Sequence, residues 1–279
     1  MRRATLLIPA HNEAAVIGRT LWYLSRGLNL NAFQVIIIAN GCTDATAARA
    51  WAALPQARII ETDQPGKCNA LNLGYEAADK DLPIVCMDAD LDVTAETVAG
   101  LVAALETEGT HAACGKMVVN ASHASALVRA FYQGWKSNPY FDRGKFGGLF
   151  AMSAKGAAQV FPLPHVTADD EYIRRSFRST QIATVPGCSF VARSPARLRA
   201  LVSIRRRSLR GARQIAKLGL PSPERRSSIR MLGRAVTSPR DAWPIAVFLA
   251  VVTWVRLALA FEVVDKTRWE RDLTSRAVR

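Results

Sequence analysis

Along the first ninety residues, short aliphatic runs alternate with longer stretches whose apolar residues recur every three or four positions. Thr5–Ile8, Val35–Ile38, Arg58–Glu61 and Ile84–Met87 read as strands, and the stretches 13–26, 43–53 and 67–78 carry helical spacing. This alternation predicts βαβ units, hence an α/β fold with a mostly parallel sheet covered on both faces by helices. Gly41, Pro65-Gly66 and Pro83 fall at the joins, where turns are needed. Thr94 is placed to cap a helix over 95–107, with Glu96 favourable in its first turn. Beyond a run at Ala112–Val118 the pattern loosens. It predicts a helix near 123–136, a glycine-rich loop at Gly144–Gly148, a short strand, and a helix beginning around Asp169. No segment repeats at fixed spacing, which disfavours solenoids and propellers.

The C-terminal part follows another pattern. Residues 194–235 read as arginine-rich helices broken near Pro221–Pro223, and Trp243–Val264 is largely apolar, interrupted by Arg256. About 20 apolar residues cross a bilayer, so this segment is barely long enough and carries a charge past its middle. Basic residues on both sides leave no asymmetry to orient a span. A helix lying in the membrane surface or re-entering it is expected, with Trp243 and Trp254 at the interface. A single span and a buried helix are the alternatives.

Composition adds a charge asymmetry. With 49% hydrophobic and 22% charged residues, the 279-residue chain is that of a folded protein. Its formal charge of +14 is unevenly spread: signs balance up to about Asp92, whereas Arg205, Arg206, Arg207, Arg210, Arg213, Arg225, Arg226, Arg230 and Arg234 crowd one region. Such a region fits phosphate, whether of nucleic acid, anionic lipid or a diphosphate, or else a solvated basic helix face. Few aromatics interleave the arginines and no nucleic-acid module is recognisable, so no nucleic acid is expected as partner. Five scattered cysteines encode neither a disulfide framework nor a zinc site. The apolar run after Met1 is too short for a signal peptide, and a reducing cytoplasm is the expected compartment. His111, His123 and His165 have no metal-ligand spacing.

In open α/β sheets ligands bind outside the carboxyl ends of the strands. Here those ends are Pro9-Ala10-His11-Asn12-Glu13, Asn40-Gly41-Cys42-Thr43-Asp44, the vicinity of Asp63, and Asp88-Ala89-Asp90. Residues at i and i+2 of an extended segment point the same way, so Asp88 and Asp90 would face one ligand. Paired carboxylates repel unless a cation or hydrogen-bond donors stabilise them, and oxygen ligands favour Mg2+ or Mn2+ shared with substrate phosphates. Acidic pairs also cap helices and sit on solvated turns, so the pair alone is a weak signal.

These motifs, with Lys67-Cys68-Asn69-Ala70-Leu71-Asn72-Leu73-Gly74, occur in the order found in the inverting glycosyltransferases of family 2, which the chain resembles closely over residues 4 to 110 and more loosely to about 211. The resemblance implies a GT-A (Rossmann-like) catalytic domain over 1–211. Residues 1–110 would form its nucleotide-sugar-binding half and 111–211 its acceptor-binding half, followed by a basic tail over 212–279 with a membrane-associated helix at 242–264. It implies that Pro9, His11 and Glu13 line the nucleotide base and that Asn40 stands where many relatives have an aspartate contacting it. Lys67 would lie near the nucleotide, Asp88 at its ribose and Asp90 on the metal. Thr167-Ala168-Asp169-Asp170-Glu171 resembles the family's acidic motif, making Asp170 the expected general base, with Asp169 and Glu171 as rivals. Gly147-Gly148 resembles the glycine pair on the acceptor side. Arg205-Arg206-Arg207 falls where many members have Gln-x-x-Arg-Trp, but Ile204 and Ser208 replace the glutamine and tryptophan, which argues against a processive synthase. Arg207 retains a guanidinium suited to a diphosphate.

The expectation is therefore a cytoplasmic-face, non-processive, metal-dependent glycosyltransferase. Its donor would be a nucleotide-diphosphate sugar, its acceptor lipid-linked or a polysaccharide precursor, and anionic lipid would hold its basic tail. A nucleotidyltransferase is the competing enzyme class, although no glycine-rich phosphate loop follows the first strand; a basic nucleic-acid-binding protein is the competing non-enzyme.

Overall fold

The computed structural model describes residues 3–136, 145–220 and 239–260. The chain divides into two compact units, one of Met1–Val118 with Gly144–Ala192 and one of Val119–Arg143 with Arg193–Arg279.

The first unit is built on parallel strands. The four predicted runs are β1 (Ala4–Ala10), β2 (Phe33–Asn40), β3 (Arg58–Thr62) and β4 (Ile84–Met87). They are joined by α1 (Ile17–Ser25), α2 (Thr46–Ala53) and α3 (Lys67–Glu76), and followed by α4 (Ala95–Ala104). Parallel ladders pair β1 with β2, β2 with β3, and β1 with β4. β5 (Ala112–Asn120), β6 (Leu149–Met152) and β7 (Ile182–Arg193) complete a seven-stranded sheet in the order β3-β2-β1-β4-β6-β5-β7, with β6 antiparallel to β4 and β5.

Alternation along each strand sorts the core. Ala4, Leu6, Ile8 and Ala10 of β1 join Ile17 and Leu21 of α1, Ala50 of α2 and Val98 of α4 on one face. Leu7, Ile36 and Ile38 join Leu71 of α3 on the other, together with Val160 of α6 (Ala154–Val160) and Ile173 of α7 (Asp169–Arg175). With both faces covered, these central strands are continuous aliphatic runs, which is why the sequence displays them clearly. From β1 the order extends through β2 to β3 on one side and to β4 on the other. The switch point between β1 and β4 is where such sheets open a crevice.

Several boundaries differ from expectation. The helix expected from residue 13 starts at Ile17, because Glu13 N–H donates to Thr46 Oγ1 (2.8 Å) and Ala14 N–H to Asp44 Oδ2 (3.1 Å), holding the segment as a loop. Thr94 caps α4 as predicted, its hydroxyl accepting from Thr97 N–H. Neither α6 nor β7 was anticipated. The expected basic helix is α8 (Leu198–Lys217), while the Pro221–Pro223 break lies outside the described residues.

In the second unit α5 (Ala126–Lys136) lies against α9 (Pro239–Ala260). Contact is close enough that a Cβ on Gly134 would meet the Pro244 carbonyl oxygen at 2.3 Å, and the rings of Phe131 and Phe248 lie 5.4 Å apart. Arg213 of α8 donates to the Leu259 carbonyl (3.3 Å). Within α9, Ala242–Ala260 is long and apolar enough to cross a membrane, with a mean hydropathy of 1.9. Ile245, Phe248, Val251, Val255 and Leu259 are buried, whereas Trp243, Leu249, Trp254 and Leu257 are exposed. The expected residues 261–264 of this segment lie outside the described ones.

Candidate active site

The candidate residues of the first unit gather at the carboxyl ends of β1, β2 and β4. The loops after β1 and β2 are interlocked: Asn12, in the left-handed region (φ 50°), accepts from Thr43 N–H through Oδ1 (2.6 Å), and Asp44 accepts from Ala14 and Thr46. Pro9 is the penultimate residue of β1, and the His11 Nδ1–H donates to the Asn40 carbonyl; Glu13 is buried.

Asn40 is buried at the end of β2. It is 3% exposed, and both ends of its amide are engaged within the fold. Nδ2 donates to the Ala10 carbonyl (2.8 Å), and Oδ1 accepts from Gly66 N–H (3.0 Å). A carboxylate could not donate to Ala10, so asparagine rather than aspartate is what this bridge requires. Asn40 thereby fixes the Pro65-Gly66 turn, whose Gly66 has φ 135° and immediately precedes α3.

Lys67, the first residue of α3, binds two carboxylates from distant segments. Its Nζ is 2.6 Å from Asp88 Oδ1, in the turn after β4, and 2.8 Å from Asp169 Oδ2, at the start of α7. Burial alone would lower the lysine pKa, but Asp169, Asp88 and Asp170 outweigh it and raise it well above the ordinary value, so the ammonium persists. Burial pushes the carboxyl of Asp169 up from 3.8 to about 6, opposed by Lys67 and reinforced by Asp170 and Asp88.

The three acidic residues opening α7 have different surroundings. Asp169 is buried and paired with Lys67. Burial pushes Glu171 up, but hydrogen bonds and charge from Arg174 and Arg175, at 2.8 and 2.7 Å, more than offset it and hold its carboxyl below the ordinary range. Asp170 is half-buried, and its Oδ1 accepts from Glu171 N–H (2.8 Å). All three sit in the first turn of α7, where the helix dipole favours negative charge.

Backbone geometry shapes the turn at Asp88. Its N–H donates to the Gly148 carbonyl (2.8 Å), and a Cβ on Gly148 would lie 2.4 Å from Asp88 Oδ2. With φ 92° as well, position 148 admits glycine for two reasons. Gly147 lies nearest Met117 and Phe190. Of the glycine pair expected on the acceptor side, Gly148 is thus the one that lies against the Asp88 carboxylate. Arg19 was missed by sequence reasoning: from α1 it pairs with Asp92 (2.7 Å) and donates to the Asp90 carbonyl (3.2 Å), holding the turn from the other side. Nothing in the local sequence of α1 marks Arg19. Arg207 lies on α8 in the second unit.

Among the described residues no group of three His, Cys, Asp or Glu could hold a metal by itself. Carboxylate oxygens are the donor type that suits a hard cation completed by substrate oxygens, as Mg2+ and Mn2+ are commonly bound. Asp88 and Asp90 share one turn, and Gly148 leaves the Asp88 carboxylate room.

This architecture has known counterparts. A mannosyltransferase from Pyrobaculum calidifontis in complex with GDP-Man and Mn2+ matches with TM-score 0.61 and 21% identity, over 95% of this chain and 77% of that one. Glucosyl-3-phosphoglycerate synthase from Mycobacterium tuberculosis matches in complex with UDP (TM-score 0.58, 21% identity, 79% of this chain and 82% of that one). It matches also with Mn2+, UDP-glucose and glycerol 3-phosphate (TM-score 0.57, 22% identity, the same coverages). These likenesses establish a GT-A fold. No curated protein matches the chain significantly. The family model described as Glycosyl transferase family 2 matches residues 5–154, more than half of the chain and every motif from β1 to β6. The chain belongs to glycosyl transferase family 2 and is a glycosyltransferase.

Proposed function

We propose that the enzyme transfers one sugar from a nucleotide-diphosphate donor, with inversion, to a lipid-linked or polysaccharide-precursor acceptor at the cytoplasmic face of a membrane. The observation that carries the donor and the chemistry is the Asp88–Lys67–Asp169 link, which ties the acidic turn after β4 to the acidic start of α7. A donor site and a base site held by one ammonium suit a transfer in which donor and acceptor must meet in fixed geometry.

In this reading Pro9, His11 and Glu13 form the base-binding wall and Asn40 supports it from within. Asp88 serves the ribose. Lys67 lends positive charge near the diphosphate. Asp90 would hold Mg2+ or Mn2+, the latter present with donor in the mannosyltransferase and the synthase structures. When bound, the ion would offset the charge gathering on the departing diphosphate. Asp170 takes the proton of the acceptor hydroxyl as its oxygen bonds to the anomeric carbon. The carbon–oxygen bond to the diphosphate breaks, and the diphosphate leaves with the electron pair. Asp170 is favoured over its neighbours because Asp169 is committed to Lys67 and Glu171 to two arginines. Gly147 and Gly148 flank the acceptor side.

Membrane association is supported by the exposed Trp243, Leu249, Trp254 and Leu257 on α9 and by the arginines of α8, which suit anionic lipid. Non-processive transfer is supported by Ile204 and Ser208 around Arg205-Arg206-Arg207. The test of the base is steady-state transfer by Asp170→Asn. Its kcat is expected to fall about 10²–10⁴-fold, the usual contribution of a general base, while Asp169→Asn and Glu171→Gln fall less. Full activity in Asp170→Asn would remove it from the base role.

A further inference from the structure

We propose that α3 is the positioning element of this transfer, and that Asn72, assisted by Cys68, holds the segment 163–169 so that α7 presents Asp170 correctly. The inference rests on the reading of Asp170 given above.

Helix α3 is itself fixed to the strand ends. Gly66 N–H donates to the Asn40 amide, and Gly74 brings the helix so close to β1 and β2 that a Cβ there would meet Ile38 Cδ1 at 2.8 Å and Leu7 Cδ2 at 3.1 Å. From this seat two side chains reach the segment before α7 and a third reaches the first residue of α7. Asn72 makes a two-way bond with the backbone of Leu163, 91 residues away in sequence: Leu163 N–H donates to Oδ1 (2.7 Å) and Nδ2 donates to the Leu163 carbonyl (3.0 Å). The Cys68 thiol donates to the Val166 carbonyl (3.3 Å), and Lys67 binds Asp169.

Leu163 and Val166 are buried and lie outside any helix or strand, so their backbone polar groups need partners from elsewhere. Asn72 supplies one donor and one acceptor in the arrangement of a sheet ladder. An amide carries its donor and its acceptor side by side on one planar group, so it can pair both backbone groups of one residue without charge. Helix α7 has seven residues, too few to hold a fixed direction by its own hydrogen bonds, so the clamps on its leading segment set where its first turn lies. The same helix α3 that contacts Asp88 through Lys67 thus also sets the position of the base.

Asn72→Asp tests this, because it keeps the acceptor, loses the donor and turns a carboxylate toward the Leu163 carbonyl. A displacement near 1 Å at a reacting group costs about 100-fold, so kcat for transfer is expected to fall about 10–100-fold with donor KM within about twofold. Amide exchange over 163–170 is expected to quicken about tenfold or more, with 84–90 unchanged. Unchanged kcat, unchanged exchange over 163–170, or a loss of kcat matched by a loss of donor affinity would each overturn the proposal. Should Asn72→Asp fail to fold, Cys68→Ala carries the same readouts, with an expected kcat loss of about threefold to tenfold; no change there overturns it equally. If the wild-type enzyme transfers no sugar, the functional reading fails on its own, and the exchange measurement still decides whether Asn72 clamps the segment.

Discussion

Asp169 is buried against Lys67 while its neighbour Asp170 stays half-buried at the same helix start, and this difference has a measurable consequence. With a folded-state pKa of about 6 against an ordinary 3.8, Asp169 binds a proton more tightly in the folded protein than in the unfolded chain. Its contribution to stability therefore falls as pH rises from about 4 to 6 and is flat above that. Denaturant melts of wild type and Asp169→Asn across this range should show the wild-type slope reduced in the variant; equal slopes would contradict the assignment. Asp88-Ala89-Asp90 and the acidic start of α7 were legible as residues because carboxylates cluster there at a strand end and at a helix start. Their relationship was not. Lys67 bridging the two, Asn40 bridging β1 to the Gly66 turn, Arg19 holding the Asp90 carbonyl and Asn72 holding Leu163 all join residues far apart in sequence.

Among the elements, α9 carries the sharpest expectation. One face is buried and the other presents Trp243, Leu249, Trp254 and Leu257, so removing both tryptophans changes the exposed face while leaving the buried one intact. If α9 lies in the interface, the double variant Trp243→Ser/Trp254→Ser should bind vesicles containing anionic lipid about tenfold or more weakly, given the apolar area two indoles insert. Retention resistant to carbonate extraction in that variant would instead indicate a span. The elements that the sequence pattern revealed and those it hid differ physically. β1, β2 and β4 are buried on both faces, so their side chains form unbroken aliphatic runs. β7 lies at the edge of the sheet, contains Pro186-Gly187 and has mixed exposure, a composition that reads as a turn and that only an edge strand tolerates. α6 is seven residues long and held from outside: Ser153 caps it, and Gly156 lies so close to the His111 carbonyl that a Cβ would meet it at 2.4 Å.

At the scale of the molecule, family membership fixes the class of reaction, while joint use of a nucleotide sugar and a divalent ion is the proposal that rests on the acidic turn after β4. A ligand that binds only the folded state stabilises it by mass action, about 2.7 kcal/mol at a hundredfold excess over Kd, which for a chain of this size raises Tm by about 5 °C. The most direct measurement is thermal unfolding with a panel of nucleotide-diphosphate sugars, with and without Mn2+, for wild type, Asp90→Ala and Asp170→Asn. A Tm rise is expected for at least one nucleotide sugar that requires Mn2+, is lost in Asp90→Ala and persists in Asp170→Asn. A rise that is independent of Mn2+ and unchanged in Asp90→Ala, or no rise with any nucleotide sugar, would contradict it.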